Sequence, residues 1–291
     1  MRGGYRGRFN EREIGEMTTI EWVARSGTMP ETWNPVTGCT KVSAGCRNCY
    51  AERMARRLAG RCGYPEAPHH FDVTLHPDRL EQPLRWRKPH TVFVCSMGDL
   101  FHEDVPLEFV EHVLNIIGHA KRHTFLILTK RPDRMFEFVT RNGKVGRVWT
   151  NVWLGVTAEN QAMADERIPL LLETPAAVRF VSLEPLLEQI YLKPQWLYYN
   201  CATPGMKDWD GLDWVIVGGE SGTGARPMHP DWARNLRDQC QEAGTAFFFK
   251  QWGTADPGPG CRANAKAAGW DMFSRGCGHL LDGQEWREWP K

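Results

Sequence analysis

Thr124-Phe125-Leu126-Ile127-Leu128-Thr129-Lys130-Arg131 is four apolar residues in a row that run into a threonine and two cations. An uninterrupted apolar run of strand length marks a strand covered on both faces, as parallel strands are. Working outward, Thr91-Val92-Phe93-Val94-Cys95, Val152-Trp153-Leu154-Gly155-Val156, Val178-Arg179-Phe180-Val181-Ser182-Leu183, Trp214-Val215-Ile216-Val217 and Ala246-Phe247-Phe248-Phe249 read the same way. Helical periods lie between them. Leu107 to Ala120 carries Leu107, Val110, Val113, Leu114 and Ile117 on one face, Arg134 to Arg141 is helical, a helix pair broken by Pro169 follows the fourth run, and Asp231 to Ala243 is striped by Trp232, Leu236, Cys240 and Ala243. Near the N-terminus, Thr18 to Trp22 is a short strand-like piece and Ala51 to Leu58 is helix-like. Six or seven strand–helix units of this kind predict an α/β protein, a full or partial βα barrel of parallel strands.

The 291 residues suit one such domain. Residues 1–17 read as a flexible tail, rich in Arg, Gly and Glu, or as an over-extended start with Met17 as the true beginning. Residues 18–253 read as the barrel, interrupted at 194–211, and residues 254–291 as an irregular, Gly-rich extension. With 36 basic against 35 acidic residues the net charge of +1 argues neither for nor against a nucleic-acid partner, so only local patches can speak. Such patches are Arg85 to Lys88, Lys121 to His123, and Arg53, Arg57 and Arg61 at helical spacing, which a solvated helix face explains equally well. Nine cysteines, an odd and scattered set, with no apolar leader and no run near the roughly 20 residues of a membrane span, place the chain in a reducing cytoplasm without a disulfide framework. Most of the thirteen tryptophans read as packing anchors.

In parallel α/β folds the working groups collect at the C-terminal ends of the strands. Here those ends carry Ser96 to Asp99, Thr129 to Arg131, Thr157 to Asn160, Ser182 to Pro185, Gly218 to Ser221 and Lys250 to Trp252. One rim then holds Asp99, Glu159, Glu184 and Glu220 with Lys130 and Lys250. Loops are polar in any such fold, and a pair such as Lys130 with Glu159 would be scaffold, but a charged residue at nearly every strand end exceeds what solvation requires. In Gly218-Gly219-Glu220-Ser221-Gly222 the glycines admit a ligand to the backbone and Glu220 is placed to bind hydroxyl or amine groups; a tight turn is the simpler alternative.

At the same end of the first strand sits Gly38-Cys39-Thr40-Lys41-Val42-Ser43-Ala44-Gly45-Cys46-Arg47-Asn48-Cys49-Tyr50. Three thiols on one loop, with Gly38 and Gly45 to turn it, suit a soft metal or an iron–sulfur cluster with one open iron. Zinc is the alternative, its fourth ligand drawn from Cys62, His69, His70 or Cys95, and three unligated thiols are the remaining one. Cys95 and Cys240 read as core, Cys201 lies in an irregular segment, and Cys261, Cys277 and His279 make a weak second site.

Trp33-Asn34-Pro35-Val36-Thr37-Gly38-Cys39 through Cys46-Arg47-Asn48-Cys49-Tyr50-Ala51-Glu52 resembles the phage-associated three-cysteine-motif family, a domain of unknown function. The likeness continues through Ser96 to Phe101, Leu128 to Pro132, Leu154 to Thr157, Ser182 to Leu186, Gly218 to Gly222 and Phe249 to Gly253. That family is distantly similar to radical S-adenosylmethionine (SAM) enzymes of the spore photoproduct lyase type, whose usual loop is Cys-x3-Cys-x2-Cys; here the first gap is six. The resemblance implies a radical-SAM-like barrel in which Cys39, Cys46 and Cys49 hold a 4Fe-4S cluster, SAM chelates the open iron, and one electron from a flavodoxin or ferredoxin starts radical chemistry on an unnamed substrate, with nucleic acid a candidate. It also implies that Asp99 meets the SAM amino group, Glu184 or Glu159 the ribose, and Lys130 the carboxylate. A zinc- or cluster-stabilised module that binds nucleic acid or protein without catalysis is the rival function. A metal-dependent hydrolase is disfavoured because no His-x-His or His-Glu-x-x-His pattern is present.

Overall fold

The computed structural model describes residues 20–141, 149–198, 211–255 and 278–290. In chain order the elements are β1 (Met29–Trp33), β2 (Val36–Thr37), α1 (Tyr50–Leu58), β3 (Thr74–Leu75), α2 (Gln82–Arg85), β4 (His90–Val94), α3 (Leu107–His119), β5 (Thr124–Thr129), α4 (Pro132–Thr140), β6 (Val152–Thr157), α5 (Gln161–Glu173), β7 (Val178–Leu183), α6 (Pro194–Leu197), β8 (Trp214–Gly218), α7 (Pro230–Ala243), β9 (Ala246–Gln251), β10 (Leu280–Leu281) and β11 (Gln284–Glu285).

Seven of these strands form one sheet in the order β1-β4-β5-β6-β7-β8-β9, every neighbour parallel, curled into a half-barrel flanked by helices. The order never reverses, so there is no crevice of the doubly wound kind; the mouth at the strands' C-terminal ends is the place for a site. Alternation along each strand feeds two cores. On β5, Phe125 and Ile127 join the large core beneath the helices, whereas Leu126 and Leu128 face the concave side. That side is filled by rings: Trp22, Trp153, Phe180, Trp214 and Phe248, all buried.

The expected strand runs from 91, 124, 152, 178, 214 and 246 are all present. Three expectations are corrected. Of the expected strand-like piece Thr18–Trp22, Glu21 and Trp22 belong instead to a 3-10 helix, Glu21–Val23, that tucks Trp22 and Val23 into the concave core, and the first strand among the described residues is Met29–Trp33. This edge strand is only half-buried and contains Pro30, which an edge tolerates, so it lacks an apolar signature. The helix pair at Pro169 is a single helix, α5, because Ala164, Ile168 and Leu171 bury its face in the core and outweigh the one missing amide donor. Finally, α1 ends at Leu58, so Arg61 lies beyond it and the three-arginine stripe does not exist as a helix face.

Residues 278–290 lie along β9. Phe249 N–H donates to Trp286 O at 2.8 Å, Glu288 N–H donates to Phe247 O at 3.1 Å, and Trp289 Nε1 donates to Trp22 O at 3.2 Å. Both ends of the described chain therefore meet on the concave side of the sheet. No helix among the described residues is long and apolar enough to cross a membrane.

Candidate functional site

The cysteine loop is fastened before its thiols are placed. Gly38 bridges to Gly98, its N–H donates to Met97 O at 2.9 Å, and Cys39 N–H donates to Phe71 O at 3.1 Å. Gly38 has φ +84°, and a Cβ there would lie 2.2 Å from Asp72 O, so the position admits no side chain. Gly45 turns the loop in another way. It sits inside the 3-10 turn Ala44–Cys46 rather than at a left-handed bend, and its missing side chain lets the Glu159 carboxylate come in, Oε1 accepting from Gly45 N–H at 2.8 Å. Cys49 then precedes the first residue of α1.

The three thiols line one cavity of about 210 Å3 at the mouth of the half-barrel. Its floor includes Phe93, Leu128 and Thr157 from β4, β5 and β6, and its lip includes Lys41, Val42 and Tyr50. Asp99, Lys130 and Arg131 line it too, as does Cys95. Burial and the Asp99 charge push the Cys39 thiol up to about 11, against the charge and hydrogen bond of Arg131. Burial also pushes the Cys46 thiol up, but the Lys130 ammonium and the backbone of Val42 and Ser43 outweigh it and lower its pKa. Cys95 is buried core, and burial raises its thiol strongly.

Of the expected site residues, Asp99 and Lys130 reach this cavity; Glu159, Glu184 and Glu220 do not line it. Asp99 is already occupied. Its oxygens accept from Thr129 Oγ1 at 2.8 and 2.9 Å, Phe101 N–H at 3.0 Å, Lys130 N–H at 3.2 Å and Arg131 Nη1 at 3.3 Å. Glu159 is fully buried and pairs with Arg167 at 3.5 Å, not with Lys130. Glu184 pairs with Lys250 at 2.7 Å. Glu220 accepts from Arg226 Nη2 at 2.6 Å and from Asn48 Nδ2 at 2.9 Å. Burial opposes its ionisation, yet Arg226 and Asn48 hold the carboxyl down at about 2. Through Asn48, and through Arg226 Nη2 on Ala44 O at 3.0 Å, Glu220 and its partner pin the cysteine loop from the β8 side. Arg53 of α1 adds a bond to Ser221 O at 2.8 Å. The Lys130 ammonium has no carboxylate within ion-pair distance among the described residues.

Sequence reasoning assigned no role to Arg131, Asn48, Arg226 or Glu103. Asn48 lies between two of the cysteines and Arg131 beside Lys130, but nothing in their spacing announces partners many tens of residues away. Cys201 lies outside the described residues, as do Cys261 and Cys277, the two cysteines of the expected second site with His279. Among the described residues, no three His, Cys, Asp or Glu side chains are gathered so as to hold one metal ion.

No curated protein and no solved structure matches the chain. A family profile does, over residues 17–290: the chain belongs to the family described as Protein of unknown function (DUF5131).

Proposed function

We propose that this chain is a radical-SAM-like iron–sulfur protein in which Cys39, Cys46 and Cys49 hold a four-iron, four-sulfur cluster. The observation that carries the reading is that three thiols from one loop line a single cavity at the C-terminal mouth of a parallel half-barrel. The donor set fits such a group. Three thiols on one loop leave one iron of a cluster open, whereas a closed zinc site needs a fourth ligand, and Cys95, which lines the same cavity, is buried in the core. When bound, the cluster supplies the single electron for reductive cleavage of SAM.

The remaining tasks fall to the chain's own side chains. Lys130, whose ammonium has no ion-pair partner among the described residues, offers it to an anionic group such as a carboxylate. Phe93 and Leu128 make the floor apolar and keep water from it. Asp99, saturated by its neighbours, orients the rim; taking up an amino group would require it to give up one of those donors. Glu159 and the Glu220–Arg226 pair hold the loop in register.

The test is anaerobic purification with iron and sulfide reconstitution, counting iron, sulfide and zinc and recording the electron spin resonance spectrum with and without SAM. The expected outcome is about four irons per chain, a reduced-cluster signal that shifts on adding SAM, and loss of that iron in each of Cys39→Ala, Cys46→Ala and Cys49→Ala. About one zinc per chain, no sulfide and no response to SAM would replace this reading with a zinc-stabilised binding module.

A further inference from the structure

The three thiols of the loop do not sit in equal surroundings. Among the described residues, only Cys39 receives a hydrogen bond from a charged side chain, Arg131 Nη1 to Sγ at 3.4 Å. That guanidinium is nearly buried and every nitrogen of it is engaged. Nε donates to Glu103 Oε2 at 2.6 Å, Nη1 also reaches Asp99 Oδ2 at 3.3 Å, and Nη2 donates to Thr40 Oγ1 at 2.8 Å and Thr40 O at 3.4 Å. Arg131 precedes Pro132, the first residue of α4, and follows the end of β5, so both of its flanks are fixed by secondary structure. Its fork is therefore aimed at the sulfur by the scaffold rather than by chance.

Resting on the reading of the cysteines as cluster ligands, we infer that Arg131 is a positioning residue that holds Cys39 and raises the reduction potential of the cluster, with Glu103 tempering it. Reduction adds negative charge that spreads onto the sulfurs. A cationic donor to a ligating sulfur favours the reduced form more than the oxidised one, and does so more strongly in a site shielded from water. Glu103 acts in the opposite sense, because its carboxylate offsets part of the guanidinium charge. Most of its surface is exposed, so its effect is the smaller one.

The test is a dithionite titration of the reconstituted full chain, followed by spin resonance, with iron and sulfide counted for every protein. Arg131→Met is expected to keep the cluster and make its reduction about tenfold less favourable, a fall of about 59 mV for one electron. Arg131→Lys keeps the charge without the fork and should fall part of the way. Glu103→Gln is expected to shift the potential upward. A merely structural role for the network predicts no such opposition of sign, since breaking either partner would loosen the loop alike. If wild type takes up no iron or sulfide, the cluster reading itself fails. If Arg131→Met loads a full cluster at the wild-type potential, the inference fails and the cluster reading survives. If Arg131→Met loads nothing, Glu103→Gln decides: a rise supports the inference, and no change or a fall overturns it.

Discussion

At the scale of single residues the cysteine loop depends on one position without a side chain. Gly38 and Gly27 share φ +84°, but a Cβ at Gly27 meets nothing within 4 Å while one at Gly38 meets Asp72 O at 2.2 Å and Asp72 C at 2.5 Å. Both Gly→Ala variants pay for the left-handed backbone, and only Gly38→Ala adds a collision with backbone that cannot swing aside. Gly38→Ala should therefore lose on the order of 1–3 kcal/mol more than Gly27→Ala in urea unfolding; equal losses would show that the Phe71–Asp72 segment yields freely. The glycine was legible in the sequence, because it immediately precedes the first cysteine. What opposes it was not, since Asp72 is brought there only by the β2–β3 pairing. The acids at the strand ends repeat the lesson. Their positions were readable from the βα pattern, but their occupation by Arg131, Arg167, Lys250 and Arg226 depends on side-chain reach between elements.

At the scale of elements, the strands that could be read were those buried on both faces, where composition and burial coincide. The edge strand Met29–Trp33 and the Glu21–Val23 turn escaped because their structure is imposed by what they cover. Trp22 shows this most clearly. Its ring lies 4.8 Å from Phe93, 6.0 Å from Phe180 and 6.1 Å from Trp214, so one side chain touches β4, β7 and β8 across the hollow of the sheet. Strands this far apart in sheet order meet a common ring only because the sheet curls. Trp22→Ala should cost about 3–5 kcal/mol in urea unfolding and reduce the near-ultraviolet circular dichroism of the aromatic core. A loss under about 1 kcal/mol would mean that the Glu21–Val23 turn detaches without disturbing the strands it covers.

At the scale of the whole molecule, buried imidazoles tie the stability of the fold to pH, His123 and His76 above all. His123 lies between α3 and β5, its Nδ1 accepting from His90 N–H at 3.1 Å, which leaves the proton on Nε2, 3.1 Å from Pro83 O. Protonating the ring would set two donors against each other at Nδ1. Burial, then the charge of His90, lower its pKa to about 4; Arg122 lowers it too and the Pro83 carbonyl only partly compensates. His76, whose Nε2 meets Thr37 Oγ1 at 2.8 Å behind the cysteine loop, is lowered to about 4 by burial and by Arg79, with Asp78 opposing. Both rings are neutral in the folded protein and bind protons near 6.5 when unfolded, so between those values the unfolded chain binds more protons. Stability is therefore full above pH 6.5 and falls as the pH drops towards about 4, by at most about 3 kcal/mol for each ring. Glu220, held at about 2 by Arg226 and Asn48, adds a second loss of the same sign that begins only below its unfolded value of 4.5. Urea unfolding from pH 8 to pH 3 should thus show a decline that starts near pH 6.5, well above the carboxylate range. In His76→Gln/His123→Gln the stability at pH 8 should be lower and the decline below pH 6.5 much shallower, the remainder belonging to His102, whose pKa burial and Arg131 also lower. A double variant that declines from pH 6.5 as steeply as the wild type would place the proton uptake elsewhere, and with it the coupling between these two rings and the strands they brace.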